Sequence, residues 1–281
     1  MKTLIVNADD FGFTEDVNAG IVHAYQEGIL TATTLMANGD AFADAVLLAK
    51  ENPGLDVGCH FVLVGDGHSL VAPYKNLPAS VPKLIAAVYS GKLDLEAELE
   101  AQLRRIISAG IEPVHIDTHK HTHLLPPVLD AIVKVANRHG IRFIRRPFDL
   151  PIGYVPHTSP LSRRPTALGM QLLRKRFARI LSQNDYRATD HFAGFQITGR
   201  FHAPDLVAVL DRLPDGSTEL MTHPGYCGPQ LQAARTRLKE SRVAELEALK
   251  SAEFRDAVAR NGIQLSGYRA LLGTGGDTAA A

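Results

Sequence analysis

The sequence predicts an α/β fold, an irregular TIM-like (β/α) barrel in a single domain. Strand-like and helix-like segments alternate about seven times, and no change of composition marks a linker between domains. Polar residues follow five of the predicted strands, and in a barrel the C-terminal ends of the strands converge on one rim. An open, doubly wound sheet also fits the alternation, but there only the strands beside the switch point would meet. The distribution of polar residues therefore favours the barrel.

Short apolar or β-branched runs predict the strands, and apolar residues at helical spacing predict the helices. The predicted strands cover residues 4–6, 31–36, 55–64, 114–118, 141–144, 192–197, 219–221 and 264–268. The predicted helices cover residues 15–27, 44–50, 95–107, 126–139, 168–181, 206–213 and 235–260. Residues 65–82 and 150–165 are rich in Pro or Gly, which predicts loops that set substrate choice. We expect the barrel domain to cover residues 1–272, followed by a disordered tail at 273–281.

The composition is that of a globular protein with no charge bias. Lys plus Arg and Asp plus Glu number 30 each, so nothing favours nucleic acid or an anionic membrane as a partner. No apolar run approaches the length of a membrane span, and the N-terminus lacks the apolar core of a signal peptide. The two cysteines, Cys59 and Cys227, do not make a disulfide framework and indicate a reducing compartment. We expect a cytoplasmic protein.

The stretch from Val114 to His123 is the strongest functional signal. His115, Asp117, His119, His121 and His123 occupy alternate positions, so in an extended chain they would share one face. A surface strand has little reason to collect four imidazoles, whereas a divalent-metal site does. The alternative is a polar strand end with solvated histidines. The pattern favours the metal site.

Asp9, Asp10 and His60 lie at the ends of two other predicted strands. Adjacent carboxylates repel each other unless a cation offsets their charge, and a bound metal would be that cation. One carboxylate and two histidines, with positions left for water, are the ligands of a catalytic rather than a structural site. Such a metal polarises a carbonyl and acidifies its water, so that the neighbouring carboxylate can act as general base.

Two further segments supply candidates for proton transfer and charge pairing. His223 precedes Pro224, which favours an extended conformation, and a histidine facing the metal could protonate a leaving amine. Arg145 or Arg146 could pair with the general base and keep it ionised. The sequence alone leaves open which of the two arginines faces the site.

Together these residues resemble the YdjC-like family of carbohydrate deacetylases, which includes chitooligosaccharide deacetylase. The segments that carry the resemblance are Asn-Ala-Asp-Asp-Phe-Gly at 7–12, Val-Gly-Cys-His at 57–60, His-Ile-Asp-Thr-His-Lys-His-Thr-His at 115–123, Arg-Arg-Pro at 145–147 and Thr-His-Pro-Gly-Tyr at 222–226. The segment Arg-Leu-Lys-Glu-Ser-Arg at 237–242 also resembles this family. The combination is specific, although no single segment is.

The resemblance implies an irregular (β/α) barrel, often a homodimer, that removes the N-acetyl group from an acetylated amino sugar and releases acetate. It implies Asp10, His60 and His123 as metal ligands and Asp9 as general base. The wider polysaccharide deacetylases suggest His223 as the acid. We expect Arg146 to be the catalytic arginine. The residues expected to contact substrate or support the ligands are Asp117, His119, His121, Arg145 and Tyr226.

The metal ion is left open among several divalent cations. Two histidines and one carboxylate suit zinc, manganese, cobalt or iron, and Mg²⁺ fits with more water ligands. Another metal-dependent barrel enzyme acting on sugars, an isomerase or a phosphoesterase, could use similar ligands. A non-catalytic sugar-binding protein is a third alternative, but it would need neither open metal positions nor the pair Asp9 and Asp10.

Overall fold

Seven parallel strands form the centre of the fold. In the computed structural model, which describes residues 1–65, 67–73, 75–151, 169–200 and 202–273, the strand order is β4-β3-β2-β1-β6-β5, and β7 pairs with the beginning of β1. The strands are β1 (Lys2–Phe11), β2 (Ala32–Leu35), β3 (Asp56–Phe61), β4 (Ile116–Thr118), β5 (His191–Ala193), β6 (Gly216–Thr222) and β7 (Ile263–Leu265). The predicted α/β fold with a parallel sheet is confirmed.

Helices connect the strands. The described helices are α1 (Glu15–Gln26), α2 (Phe42–Glu51), α3 (Val81–Tyr89), α4 (Leu95–Ser108), α5 (Pro126–Arg138), α6 (Arg174–Gln183), α7 (Ala203–Leu210), α8 (Pro229–Ala233), α9 (Glu240–Lys250), α10 (Ala252–Arg260) and α11 (Tyr268–Gly273), with a 3₁₀ turn at His119–Leu124. Thr14 caps α1, because its side chain accepts a hydrogen bond from the Val17 N–H. None of the described helices is both long and apolar enough to cross a membrane.

The sheet forms a half-barrel that isolated bridges extend beyond β4. Ile116 bridges Ile144, and Asp149 bridges Phe192 of β5, both in parallel. The segment predicted as a strand at 141–144 therefore contributes bridges rather than a regular ladder.

The expected tail at 273–281 lies outside the described residues apart from Gly273, and the expected loop at 150–165 lies outside them apart from its first two residues.

Strand β1 is longer than predicted and carries the two carboxylates within it. The apolar run at 4–6 predicts only its middle, but β1 continues through Asp9 and Asp10 to Phe11, and residues 4–11 are all buried. Because all neighbours of β1 are parallel to it, its C-terminal end lies beside those of β2 and β6. The two aspartates thus lie near the middle of the rim.

Two predicted segments differ from the structure for local reasons. The helix predicted at 235–260 is interrupted at Ser251, which is extended and caps α10 by accepting from the Phe254 N–H. The predicted loop 65–82 ends in α3, and a buried carboxylate fixes its start. Glu98 of α4 accepts hydrogen bonds from the Ser69 hydroxyl and the Leu70 N–H. These two hydrogen bonds therefore hold the first part of the loop against α4.

We predict that Gly20→Ala destabilises the protein by about 1–3 kcal/mol, the usual range for overpacking. A Cβ on Gly20 would lie 2.4 Å from the Cα of Gly225, in the segment that follows His223, and backbone atoms there have no room to move. The intrinsic preference of helices for Ala works in the opposite direction. Urea unfolding measures the change, and Gly169→Ala, where nothing lies within 4 Å, is the matched control. Equal stability of Gly20→Ala and wild type would contradict the close approach.

Candidate active site

A cavity of about 1260 Å³ opens over the C-terminal ends of the strands. Six of its lining residues carry the chemistry discussed below: Asp9, Asp10, His119, His121, His223 and Arg242. The strand order explains their meeting, because β1 lies between β2 and β6 and the segments after β4 and β6 fold over the same rim. The rim predicted from the polar strand ends is therefore present.

The two adjacent aspartates face different partners. Asp10 has a φ of 70°, in the left-handed region, and the pairing register of β1 with β2 shifts between Ala8 and Phe11. This irregularity interrupts the alternation of an ideal strand, and aspartate tolerates the conformation better than most residues do. Asp9 turns toward Arg145, whereas Asp10 turns toward His60 and His119.

Asp10, His60 and His119 form a group that fits a divalent metal. Asp10 Oδ1 lies 3.4 Å from His60 Nε2 and 3.2 Å from His119 Nδ1, and one donor atom from each residue lies within 4.8 Å of the others. Ligands about 2.1 Å from a shared cation are separated by about 3.0 to 3.4 Å, so the spacing fits. His60 Nε2 is also a buried atom without a hydrogen-bond partner among the described residues. The residues present thus offer the donor set of a metal site.

Asp117 fixes the orientation of His60. The two residues are register partners on β3 and β4, and His60 Nδ1 lies 2.7 Å from Asp117 Oδ1. When the imidazole is neutral, a proton on Nδ1 leaves the Nε2 lone pair free for a metal. Burial lowers the pKa of His60, but the charge of Asp117 and the side-chain contacts with Asp10 and Asp117 outweigh it and raise the pKa to about 10. Without a cation, this group therefore holds a proton where a metal would bind.

His123, expected as the third ligand, does not lie with the other two. Its Nδ1 lies 2.6 Å from the Thr118 hydroxyl and its Nε2 lies 3.1 Å from the Arg145 carbonyl, so both ring nitrogens are engaged. The reason is local. Lys120 and His121 both have positive φ values, of 55° and 51°, and the resulting 3₁₀ turn ends the strand alternation after Thr118. His119, expected as a supporting contact, occupies the position beside Asp10 instead.

Arg145, and not Arg146, pairs with the expected general base. The Arg145 guanidinium is fully buried and holds Asp9 with two hydrogen bonds of 2.6 and 2.8 Å. Burial raises the pKa of Asp9, but the charge of Arg145 outweighs this effect and holds the pKa well below its usual range. Asp9 is therefore ionised at neutral pH. Arg146 is half-buried near Arg174 and Asp190 and does not line the cavity, so the structure does not support its predicted role.

Two acids besides Asp9 contact Arg145 at the base of the site. Its Nε donates to Glu219 Oε1 at 2.6 Å, and Nη1 also pairs with Asp117. Burial raises the pKa of Glu219 to about 7 despite the opposing charge of Arg145. Glu219 was not predicted from the sequence. Its only signal is a charged residue within a short apolar strand, between Thr218 and Leu220.

The other residues of the histidine stretch separate. His121 lines the cavity against Phe192 and Phe195, and burial holds its pKa well below the usual range. His115 leaves the site and stacks on Tyr268 at 3.7 Å, where Gly58 provides the space for its ring. The prediction that this whole stretch shares one face is therefore wrong. His119 and His121 nevertheless line the cavity, and Asp117 orients His60.

His223 lies at the cavity wall, in a position suited to exchanging a proton with substrate. Its backbone N–H donates to the buried carboxylate of Glu245 at 2.5 Å, which holds the segment after β6 in place. Burial lowers the pKa of His223 to about 4, so the imidazole is neutral at pH 7. Tyr226, expected near substrate, is instead bonded to His23 of α1 outside the cavity.

Arg242 is the principal residue that sequence reasoning missed. It is buried in the first turn of α9, and its Nη2 donates to Asp10 Oδ2 at 2.5 Å. Burial raises the pKa of Asp10, but the charge of Arg242 and the contacts with His119 and His60 lower it well below the usual range. The familial segment 237–242 contains this arginine, but the sequence gives no indication that it reaches β1.

A parallel half-barrel with an Asp–His–His donor group at its carboxyl rim defines the class of α/β protein to which the chain belongs. The model of the YdjC-like protein family matches residues 3–260, so the chain belongs to that family. It is 36% identical to a carbohydrate deacetylase of Geobacillus stearothermophilus, over 94% of this chain and 96% of the relative. It is 32% identical to a chitooligosaccharide deacetylase of Enterobacter sp. (strain 638), over 95% of this chain and 98% of the relative.

A solved structure shows the same fold. A protein from Enterococcus faecalis V583, described as a cellobiose-phosphate cleavage protein, superposes with a TM-score of 0.75 and 24% sequence identity. The match covers 96% of this chain and 98% of the other. At this identity, the likeness establishes the fold alone.

We predict that neutral His223 makes metal-free protein acid-sensitive. Its folded pKa of about 4 lies below the ordinary value of 6.5, so protonation favours the unfolded chain. The corresponding stability is present above pH 6.5 and is lost as the pH falls toward 4. Between pH 7 and 4.5, His223→Gln should therefore lose about 2–3 kcal/mol less than wild type. Urea unfolding at both pH values in the presence of chelator measures this, and parallel losses in the two proteins would contradict a neutral His223.

Proposed function

We propose that this protein is a metal-dependent carbohydrate deacetylase, which hydrolyses the N-acetyl group of an acetylated amino sugar and releases acetate. The observation that carries the proposal is the pairing of an ionised Asp9 with the Asp10–His60–His119 group, of which Asp10 and His119 line the same cavity as Asp9. Family membership supports the reaction class, since its relatives over nearly the whole chain are carbohydrate deacetylases. A substrate of the N-acetylglucosamine type is the finer part of the proposal.

Asp10, His60 and His119 would hold the metal, which when bound supplies charge to polarise the acetyl carbonyl and to acidify water. The donor set of one carboxylate and two imidazoles suits Zn²⁺, Mn²⁺ or Co²⁺, and Mg²⁺ with additional water. His123 is outside our proposed ligand set because hydrogen bonds engage both of its ring nitrogens.

Asp9 has the properties of the general base. It is ionised, lines the cavity and belongs to a second group with His60 and Asp117 whose donor atoms lie within 4.8 Å of one another. The bidentate contact with Arg145 restricts its rotation, so the carboxylate is positioned before substrate binds. In our proposal, Asp9 accepts the proton of the attacking water.

His223 completes the proton transfer to the leaving amine. Because burial keeps its imidazole neutral at pH 7, His223 must first take up a proton before it can donate one. We infer that the proton removed from water reaches His223 during the reaction, where the transient cation faces the charges of Asp9 and Asp10. The amine then leaves as a neutral group.

Three further proposals concern the completeness of the barrel, the cellular location and the oligomeric state. We infer an irregular (β/α) barrel, supported by the bridges that join Ile144 to β4 and Asp149 to β5. The proposed cytoplasmic location is supported by the two free cysteines. The proposed homodimer rests on the family resemblance.

We predict that His119→Ala weakens metal binding at least tenfold, whereas His123→Gln, which keeps a side-chain hydrogen-bonding group, changes it less than threefold. A direct metal ligand contributes more to metal affinity than a residue that only orients the neighbouring turn. Competition with a chromophoric chelator measures the affinity of the metal-free variants for Zn²⁺ and Mn²⁺. The reverse order of the two variants would restore His123 as the ligand and remove His119.

Acetate release from N-acetylglucosamine oligomers tests the function, using protein stripped of metal and reloaded with Zn²⁺, Mn²⁺, Co²⁺ or Mg²⁺ in turn. We expect metal-restored acetate and a free amine, and a loss of about 10²–10⁴ in kcat for Asp9→Asn with metal still bound. Asp149→Asn, a buried aspartate outside the cavity, is the matched control. Isomerised or dephosphorylated products without acetate would show one of the rival barrel enzymes, and near-native turnover of Asp9→Asn would exclude it as the base.

A further inference from the structure

Two buried arginines contact the adjacent aspartates of β1, and they differ in how fully their donors are used. Arg145 directs its Nε at Glu219 and both terminal nitrogens at Asp9. Arg242 directs its Nε at the Leu238 carbonyl at 3.2 Å and its Nη2 at Asp10. The Nη1 of Arg242 is buried and has no hydrogen-bond partner among the described residues. Every nitrogen of the Arg145 guanidinium therefore has a protein partner, whereas Nη1 of Arg242 has none among the described residues.

The unpaired donor belongs to a residue at the cavity wall. Arg242 is 1% exposed, and it lines the cavity together with Asp10, His119 and His223. Its position is well fixed, because the Arg242 carbonyl accepts from the Gly225 N–H and the Arg242 Cδ lies 3.2 Å from the point where a Cβ on Gly225 would be. The guanidinium therefore cannot swing into solvent without moving the segment after β6.

An unsatisfied buried donor on a cation is costly, which points to a partner that the free protein lacks. The partner must be a hydrogen-bond acceptor, because guanidinium has only donors, and an anionic oxygen would bind most strongly. In amide hydrolysis, negative charge develops on one oxygen, the acyl oxygen, and the carboxylate product retains that oxygen. An anionic oxygen would therefore satisfy the unpaired donor, and the proposed reaction produces such an oxygen.

We propose that Arg242 binds the acyl oxygen through its Nη1–H groups, as that oxygen gains negative charge and again in the product acetate, while its Nη2–H holds Asp10. This inference rests on the proposed function. Arginine keeps its proton in proteins, so Arg242 neither donates nor accepts a proton in any step. Its contribution is a fixed charge and a fixed donor, present before the substrate arrives.

The same contact with Asp10 makes Arg242 a positioning residue for the metal group. With Oδ2 engaged by Arg242, Asp10 presents Oδ1 to His60 and His119. Lysine could supply the charge but not two donors in a plane, so it could not serve Asp10 and an acyl oxygen at once with the same geometry. Substitution by lysine therefore separates charge from geometry.

The test measures acetate affinity of metal-loaded protein by isothermal titration calorimetry, with Zn²⁺ affinity of the metal-free protein as a second readout. We expect Arg242→Gln to raise the Kd of acetate about 10- to 100-fold, the value of a hydrogen bond to a charged group. Arg242→Lys should restore only part of this loss. The control Lys239→Gln removes a positive charge from the same segment but outside the cavity lining, and we expect a change of less than threefold.

Equal losses in Arg242→Gln and Lys239→Gln would overturn the proposal, because general attraction of an anion would explain both. Unchanged acetate affinity in both Arg242 variants, each still binding Zn²⁺, would overturn it as well. If the variants fail to fold, a crystal structure of wild-type protein with acetate decides, and we expect a carboxylate oxygen 2.7–3.2 Å from Nη1. Wild type that binds acetate at Arg242 but releases none from amino sugars would contradict the proposed function and leave this site intact.

Discussion

The buried guanidinium of Arg145 is the interaction on which the site depends. Asp9, Asp117 and Glu219 come from three strands and converge on this one cation, and none of the three is exposed by more than 5%. Three buried carboxylates would repel each other without it, and removing one partner of a buried charge pair is strongly destabilising. One arginine cannot neutralise three acids, which agrees with the raised pKa of Glu219. Arg145 thus offsets part of the repulsion, and the remaining negative charge favours a divalent cation nearby.

Backbone geometry distributes the side chains around this cluster. Asp10, Lys120 and His121 all have left-handed φ values, at the two places where the chain enters the cavity wall. Non-glycine residues in this region are strained, and such strain persists where the surrounding structure over-determines it. Here the parallel ladder of β1 and β6 fixes one segment, and hydrogen bonds to both ring nitrogens of His123 fix the other. These left-handed conformations bring Asp10 and His121 to the cavity wall, where a regular strand or helix would not place them.

The sequence predicted the fold class and the rim because both depend on repeated local patterns. Apolar runs mark strands, and polar residues at their ends mark the rim, so Asp9, Asp10, His60 and His223 were found without a structure. The alternation along 115–123 failed because it assumes an extended chain, and no residue type there announces two consecutive left-handed conformations. Arg242 was missed because its contact with Asp10 spans 232 residues. Choosing between Arg145 and Arg146 likewise required the direction in which the chain leaves the sheet.

The roles proposed for the two adjacent carboxylates differ because of their surroundings rather than their chemistry. Asp9 and Asp10 are the same residue type, one peptide apart, yet each is held by its own arginine from a distant part of the chain. Arg145 engages both oxygens of Asp9, which restricts that carboxylate to one orientation. Arg242 engages one oxygen of Asp10, which leaves the other facing two histidines. We infer that the proposed division between a proton acceptor and a metal ligand follows from how many oxygens each arginine occupies.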